Sequence, residues 1–344
     1  MNAQHCFLRY AVVTGSNKGI GFEVCRQLAS SGIFVVLTAR DEKKGLEALQ
    51  KLKDCGVSGD LLGFHQLDVV DPHSVANLAD FVKIHFGKLD ILVNNAGISG
   101  IVYTPDNFRR GVELSGDWPV CDSILENFLK NYSTVQFLSI EYDSLLGLMV
   151  HKSCVHSMQP DGKEVRWNEM VSQNLDLAEQ CLKTNYYGAK GMVEALAPLL
   201  QSSDSATIVN VSSGLGLLKN IPNQWAKGLL SDAENLSEER VDEVGKQFLK
   251  DFKEGLLEAN GWPQYFSTYI VAKACMNAYT RVLAKKHPSF RINAVAPGFC
   301  KTDITLNLGS LTAAQGAEYV VRAALLPKDG PSGCLFNMQE MSSF

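Results

Sequence analysis

No run of about 18 consecutive apolar residues occurs in this chain, so no membrane-spanning helix is expected. The opening Met1-Asn-Ala-Gln-His-Cys-Phe-Leu-Arg-Tyr10 is too short and too polar for a secretion signal. Positive charge is scarce: 32 Lys and Arg stand against 37 Asp and Glu, a net charge of −5, with an isoelectric point near 5.8. That balance leaves no basic face for nucleic acid. The seven histidines form no HxxxH or HExxH pattern, and the nine cysteines form no CxxC pair. No metal site is expected from such spacing. An odd number of scattered cysteines without a secretion signal points to reduced thiols and a cytoplasmic protein. Internal repeats and low-complexity segments are also missing. What is present is ordinary globular material: 344 residues, 46% apolar and 20% charged, with mean hydropathy −0.03. Such a chain can bury a large core, and its length permits one domain or two.

Strand-like and helical stretches alternate. Tyr10–Thr14 is a short apolar run that ends in a glycine loop, as a buried parallel strand does. Ile20–Ser31 has helical spacing, Ile33–Thr38 is β-branched, and Asp41–Leu52 is an amphipathic helix. Leu62–Leu67 is a strand, and Asp71–Phe86 a helix with Asp71 to cap it and Pro72 in the first turn. Leu89–Asn94, Thr207–Ser212 and Arg291–Ala296 complete the strands; Asn174–Leu200 and Thr268–Lys286 read as long single helices. The pattern predicts one α/β domain over residues 1–344: a doubly wound Rossmann-type parallel sheet covered on both faces.

Thr14-Gly15-Ser16-Asn17-Lys18-Gly19-Ile20-Gly21 lies between the first strand and the first helix. Glycines there allow close backbone approach to a pyrophosphate, and the helix N-terminus offers it free N–H groups. At the end of the second strand stands Arg40, where an acidic residue would suit a ribose 2′-hydroxyl. Arg40 and Lys18 together suit a 2′-phosphate, hence NADP(H). The competing reading makes Arg40 a solvated residue, with Asp41 directly after it. Tyr269-Ile-Val-Ala-Lys273 sets two side chains one helical turn apart. The lysine can lower the phenol's pKa from about 10, which suits a proton donor for carbonyl reduction. Ile208-Val-Asn-Val-Ser212-Ser213-Gly214 ends a strand in hydroxyls that can hold a substrate carbonyl oxygen.

TGSNKGIG (14–21), LDV (67–69), NNAG (94–97), NVSS (210–213), YIVAK (269–273) and PGFCKTD (297–303) occur in this order over almost the whole chain. The set resembles the short-chain dehydrogenase/reductase family. FGKLDILVNNAG, NQWAKG (223–228) and LLPKDGPSG (325–333) resemble its plant monomeric branch of salutaridine and menthone/neomenthol reductase type. The resemblance implies Tyr269 as proton donor and Lys273 as its support and the ribose ligand. Ser213 would polarise the carbonyl, with Ser212 the competing choice, and Asn185 would hold the water of a proton relay. Besides the glycine loop with Ser16, Asn17 and Ile20, cofactor contacts would come from Asp68, Val69, Asn94, Asn95, Ala96, Gly97, Pro297, Gly298 and Thr302. One departure is Ala272, where many relatives have Ser. The reaction implied is reduction by NADPH of a ketone on a bulky apolar, terpenoid or alkaloid-like substrate, in a monomer. Branch members that reduce C=C bonds lack the tyrosine, so Tyr269 favours C=O. The other alternative is a cofactor-binding sensor without turnover, against which the full Ser213, Tyr269 and Lys273 set argues.

Two stretches exceed the minimal fold. Pro222–Gln264, with a helical pattern from Ser237 to Leu257, is expected to form a substrate flap, with Trp262, Tyr265 and Phe266 as its wall. Ile98–Asn174 is expected to mask the helix face that relatives use for oligomerisation. Within it, Val120–Gln159 shows no clean period, and long structureless insertions in compact domains are uncommon. Its ends, Val120-Cys121-Asp122 and Met158-Gln159, can be encoded as GTATGTGAT and ATGCAG, which resemble splice sites. A translated retained intron and a genuine substrate-side loop are both open readings.

Overall fold

A computed structural model describes residues 8–103 and 171–344. Near-continuous apolar runs become β1 (Tyr10–Val13), β2 (Phe34–Ala39), β3 (Leu62–Gln66), β4 (Ile91–Asn94), β7 (Thr207–Val211) and β8 (Arg291–Ala296). These pair in parallel in the order β3-β2-β1-β4-β7-β8, with β9 (Leu335–Asn337) parallel to β8 and β10 (Glu340–Ser342) antiparallel at the edge. Every residue of β1, β4 and β7 is buried, the mark of a sheet covered on both faces. The short strands β5 (Val102–Tyr103) and β6 (Val171–Ser172) complete the set. Strand order reverses between β1 and β4. In open α/β sheets ligands bind at such a switch point, beyond the strands' carboxyl ends.

Helices α1 (Gly19–Ser30), α2 (Glu42–Asp54) and α3 (Pro72–Phe86) follow β1, β2 and β3. Side chains set their starts: Asp41 accepts from the Lys44 N–H at 3.0 Å, and Asp71 from the His73 N–H at 3.0 Å with Pro72 in the first turn. The stretch expected as one helix over 174–200 is helical without a break from Leu175 to Gln201, with α4 (Leu175–Leu182) and α5 (Gly188–Gln201) joined through a π turn at Lys183–Tyr187. Apolar periodicity carries through that turn, so the sequence pattern did not reveal the change of hydrogen bonding. Such π turns occur often at functional sites. Helices α6 (Gln224–Ser231), α7 (Glu238–Lys253), α8 (Ser267–Lys286) and α9 (Ala313–Ala324) follow among the described residues. Neither α9 nor the hairpin β9–β10 was placed from the sequence.

The chain divides into two compact units, Met1–Val102 with Gln173–Phe344, and Tyr103–Ser172. Only Tyr103, Val171 and Ser172 of the second are described, and Val120–Gln159, the segment with splice-like ends, lies outside the described residues.

The segment 222–264, expected as a flap, forms the helices α6 and α7. The apolar face of α7, with Val241, Val244 and Phe248 buried, is turned onto α4 and α8. Polar ties hold it there. Asp242 accepts from the Tyr186 hydroxyl at 2.7 Å and from Lys190 at 2.9 Å, and Glu238 pairs with Lys286 at 2.8 Å.

Candidate active site

The glycine loop is held by the residues after β4. The Thr14 hydroxyl accepts from the Asn95 and Ala96 N–H groups, each at 3.0 Å. Asn95 in turn donates its amide to the carbonyls of Thr14 at 2.9 Å and Gly15 at 3.0 Å. Gly15 has φ +61°, and a Cβ built on it would lie 2.9 Å from Ala96 Cα. A Cβ on Gly21 would collide with Asn95 Nδ2. Side chains are thus excluded from both positions, and the loop presents backbone to the cleft. This cradle fits a dinucleotide pyrophosphate at the N-terminus of α1.

Several predicted cofactor residues prove to have scaffold contacts. Ser16 is fully buried; its hydroxyl donates to Val13 O at 2.8 Å and accepts from Thr38 N–H at 3.0 Å. Its side chain therefore faces the sheet, not the cleft. Asn94 is likewise buried, donating to Asn210 Oδ1 at 2.9 Å. Asp68 accepts from the Val70 N–H at 3.1 Å, and Val69 packs over Gly188, where a Cβ would lie 2.8 Å from Val69 Cγ2. Lys18, assigned with Arg40 to a 2′-phosphate, pairs here with Asp303. The ammonium holds the Asp303 carboxyl below the usual carboxylate range. This pair joins the glycine loop to the turn after Thr302, whose Cγ2 would lie 3.3 Å from a Cβ on Gly19. Arg40 stands exposed just beyond β2, while the adjacent Asp41 is occupied as the cap of α2. Pro297 and Gly298 follow β8, and Gly298 has φ +81°, a conformation suited to glycine.

The two serines separate cleanly. Ser212 is 4% exposed and donates to Asn277 Oδ1 at 2.5 Å. Ser213 is half-buried, and its oxygen accepts from the Leu215 N–H at 3.1 Å. Its proton is therefore available to an incoming carbonyl oxygen. The turn Gly214–Gly216 lies flat against α8: a Cβ on Gly216 would sit 2.7 Å from the Lys273 carbonyl carbon.

Lys273 is 3% exposed and donates to Val211 O at 2.7 Å. Its ammonium lies 5.7 Å from the centre of the Tyr269 ring. Burial pushes its pKa down to about 8, with Cys181 acting weakly in the other direction. Asn185 sits in the π turn and is fully buried. Its side chain accepts from Ile98 N–H at 2.8 Å and donates to Ile98 O at 2.9 Å and to Cys181 Sγ at 3.3 Å. Both amide hydrogens of Asn185 are thereby taken up by protein partners. Gly97 closes the group: a Cβ there would lie 3.3 Å from Asn185 Oδ1 and 3.7 Å from Lys273 Nζ.

The expected substrate wall is corrected in part. Trp262 is 2% exposed; its indole donates to Asp251 at 2.7 Å and packs edge-on to Phe248 at 5.2 Å. It braces the α7 segment from inside. Phe266 is equally buried, at the start of α8, and Tyr265 is half-buried. Thr14, Asn277 and Asp303 were missed, because their contacts are with partners distant in sequence; the contact of Cys181 with Asn185 is local, one helical turn away, but carries no motif. Among the described residues no cluster of three His, Cys, Asp or Glu could hold a metal ion, and no helix is long and apolar enough to cross a membrane.

Comparison with known proteins adds the following. The family model "short chain dehydrogenase" matches residues 9–113. Over 338 residues the chain is 50% identical to (+)-neomenthol dehydrogenase of Arabidopsis thaliana, covering 98% of each. It is similar to the structure of salutaridine reductase from Papaver somniferum, with TM-score 0.77 and 46% identity over 95% of this chain and 99% of that one. Menthone neomenthol reductase from Mentha piperita gives TM-score 0.74 and 44% identity over 97% and 100%.

Proposed function

This chain belongs to the short-chain dehydrogenase/reductase family of nicotinamide-dependent oxidoreductases, and we propose that it reduces a ketone on a bulky apolar substrate to the secondary alcohol with NADPH. The observation that carries this reading is the division of labour around α8. Ser213 keeps its hydroxyl at the surface while Ser212 is buried, and Tyr269 lies over a lysine whose pKa is pushed down to about 8. When bound, the cofactor supplies hydride to the carbonyl carbon. Gly15, Asn17, Gly19, Ile20 and Gly21 would hold its pyrophosphate, Asp68, Val69, Ala96 and Gly97 its adenine side and cleft wall, and Pro297, Gly298 and Thr302 its carboxamide end. Arg40 would take the 2′-phosphate, since Asp41 is spent as a helix cap.

Ser213 donates a hydrogen bond to the carbonyl oxygen and orients it. Tyr269 donates a hydrogen bond to the same oxygen as negative charge grows there, then gives up its hydroxyl proton. Lys273, one of its three donors fixed on Val211 O, stands charged beside the tyrosine and passes a proton to the phenolate once Tyr269 has given up its own. Asn185 holds its turn against Ile98, and a water on its main chain replaces the proton that the lysine has passed on. The named activities of the relatives, on menthone-type and salutaridine-type substrates, support a terpenoid or alkaloid ketone. The cover of α4 and α8 by α7 supports a monomer. The odd number of scattered cysteines supports a cytoplasmic setting.

Tyr269→Phe tests the mechanism on a panel of cyclic ketones, read by nicotinamide absorbance. Turnover should fall on the order of a hundredfold or more, with NADPH binding retained. Undiminished turnover would remove Tyr269 from the proton transfer.

A further inference from the structure

Helix α8 begins at Ser267, two residues before Tyr269. The first N–H groups of a helix find no partner within it, and an acceptor side chain at the N-cap commonly takes one of them. Here the N-cap position is Phe266, whose ring offers no such acceptor and whose φ of 54° lies in the left-handed region. The acceptor is supplied from 95 residues away in the chain: Gln173 Oε1 takes the Thr268 N–H at 3.2 Å. The same oxygen accepts from the Ser267 hydroxyl at 3.1 Å. Ser267 and Thr268 are both fully buried, so water cannot replace that oxygen and its loss leaves donors unmet. Gln173 directly precedes Asn174, which caps α4 by accepting from Leu177 N–H at 2.9 Å. One short stretch therefore sets the starts of two helices: α4, which leads into the turn of Asn185, and α8, which carries Tyr269.

We infer that Gln173 is a positioning residue for the ketone reduction, capping α8 from outside and holding its first turn so that Tyr269 meets Lys273 and Ser213 in register. The inference rests on the reading of Tyr269 as proton donor. Lys273 lies one turn deeper and is tied to Val211 O, so loosening the first turn moves the tyrosine relative to a fixed lysine. A misplacement of about 1 Å can cost a hundredfold in rate.

The test compares Gln173→Met, Gln173→Glu and Tyr269→Phe in the full chain. Gln173→Met keeps the volume and removes the acceptor; Gln173→Glu keeps an acceptor oxygen. Measured are kcat and KM on a cyclic ketone across neutral to alkaline pH, and the NADPH dissociation constant by fluorescence. Gln173→Met should lose on the order of tenfold in kcat, shift the pH midpoint of the kcat profile, and leave NADPH binding within about twofold. Gln173→Glu should recover most of the rate. Parental kcat and pH midpoint in Gln173→Met overturn the inference, as does a Gln173→Glu protein impaired equally with it. If Gln173→Met fails to fold, Gln173→Asn, one methylene too short to reach, takes its place with the same expected loss. Should Tyr269→Phe turn over at the parental rate, the proton-donor reading itself fails. Should Tyr269→Phe be inactive and Gln173→Met normal, the capping inference alone falls.

Discussion

Replacing Lys273 by methionine should abolish turnover and remove the gain in stability that the parent shows as pH rises above 8. The lysine is 3% exposed, and burial lowers its pKa to about 8. In the unfolded chain it titrates near 10.4. That difference of roughly 2.4 pK units corresponds to roughly 3 kcal/mol. Below pH 8 the amine is protonated in both states, and the folded state carries the whole penalty for a buried charge. As pH rises through 8 the folded amine releases its proton before the unfolded one does. The penalty therefore fades between about pH 8 and 10.4, and the parent gains stability across that window. Methionine fills similar volume and carries no charge, so the variant feels no such gain. It also leaves Val211 O without its donor, a loss of about 1–3 kcal/mol that does not depend on pH. At neutral pH the two effects nearly offset, and the variant should be as stable as the parent or slightly more so. Above pH 10 it should be less stable, the difference having moved by roughly 3 kcal/mol. Urea unfolding of both proteins without cofactor, at neutral pH and above pH 10, measures this directly. Other alkaline-titrating groups are common to both chains and cancel. A difference in stability that stays constant with pH would refute the buried-charge account of Lys273.

Arg40→Ala should weaken NADPH on the order of 10- to 100-fold and NADH by less than twofold, since a charged bond to phosphate is lost only with the former; fluorescence titrations with both cofactors check it, and equal losses would count against the 2′-phosphate assignment. Trp262→Phe keeps the ring near Phe248 but removes the bond to Asp251, so urea unfolding should show a loss of about 1–2 kcal/mol with ketone KM unchanged. A raised KM at undiminished stability would return Trp262 to the substrate wall. Gly216→Ala should cost roughly 1–3 kcal/mol and depress kcat, because the new methyl meets backbone of Lys273 at 2.7 Å; a parental melting temperature would show that the turn and α8 have more room than their geometry implies.

Much of the fold could be read along the chain because its signals are local. Buried parallel strands announce themselves as apolar runs, and Asp71 with Pro72 marks a helix start before any contact is known. The glycine loop and the Tyr269–Lys273 spacing are equally local. The readings that failed depended on partners far apart. Ser16 resembles a phosphate ligand until Thr38 is seen to take its hydroxyl. Trp262 resembles a pocket wall until Asp251 and Phe248 enclose it. Nothing near residue 173 hints that its amide serves a helix 95 residues later.

The sequence alone determined the class of sheet and the glycine loop, because each rests on periodicity or spacing within a few turns of chain, while Tyr269 and Lys273 stood out through the family resemblance of the motifs around them. Tertiary structure decided the rest. It buried the Ser212 hydroxyl against Asn277 and left Ser213 half-buried, made Asp41 the cap of α2, and turned α7 onto α4 and α8. It also lowered the pKa of Lys273. Burial and desolvation belong to no single stretch of residues; they exist only once distant segments have closed around a group and excluded water.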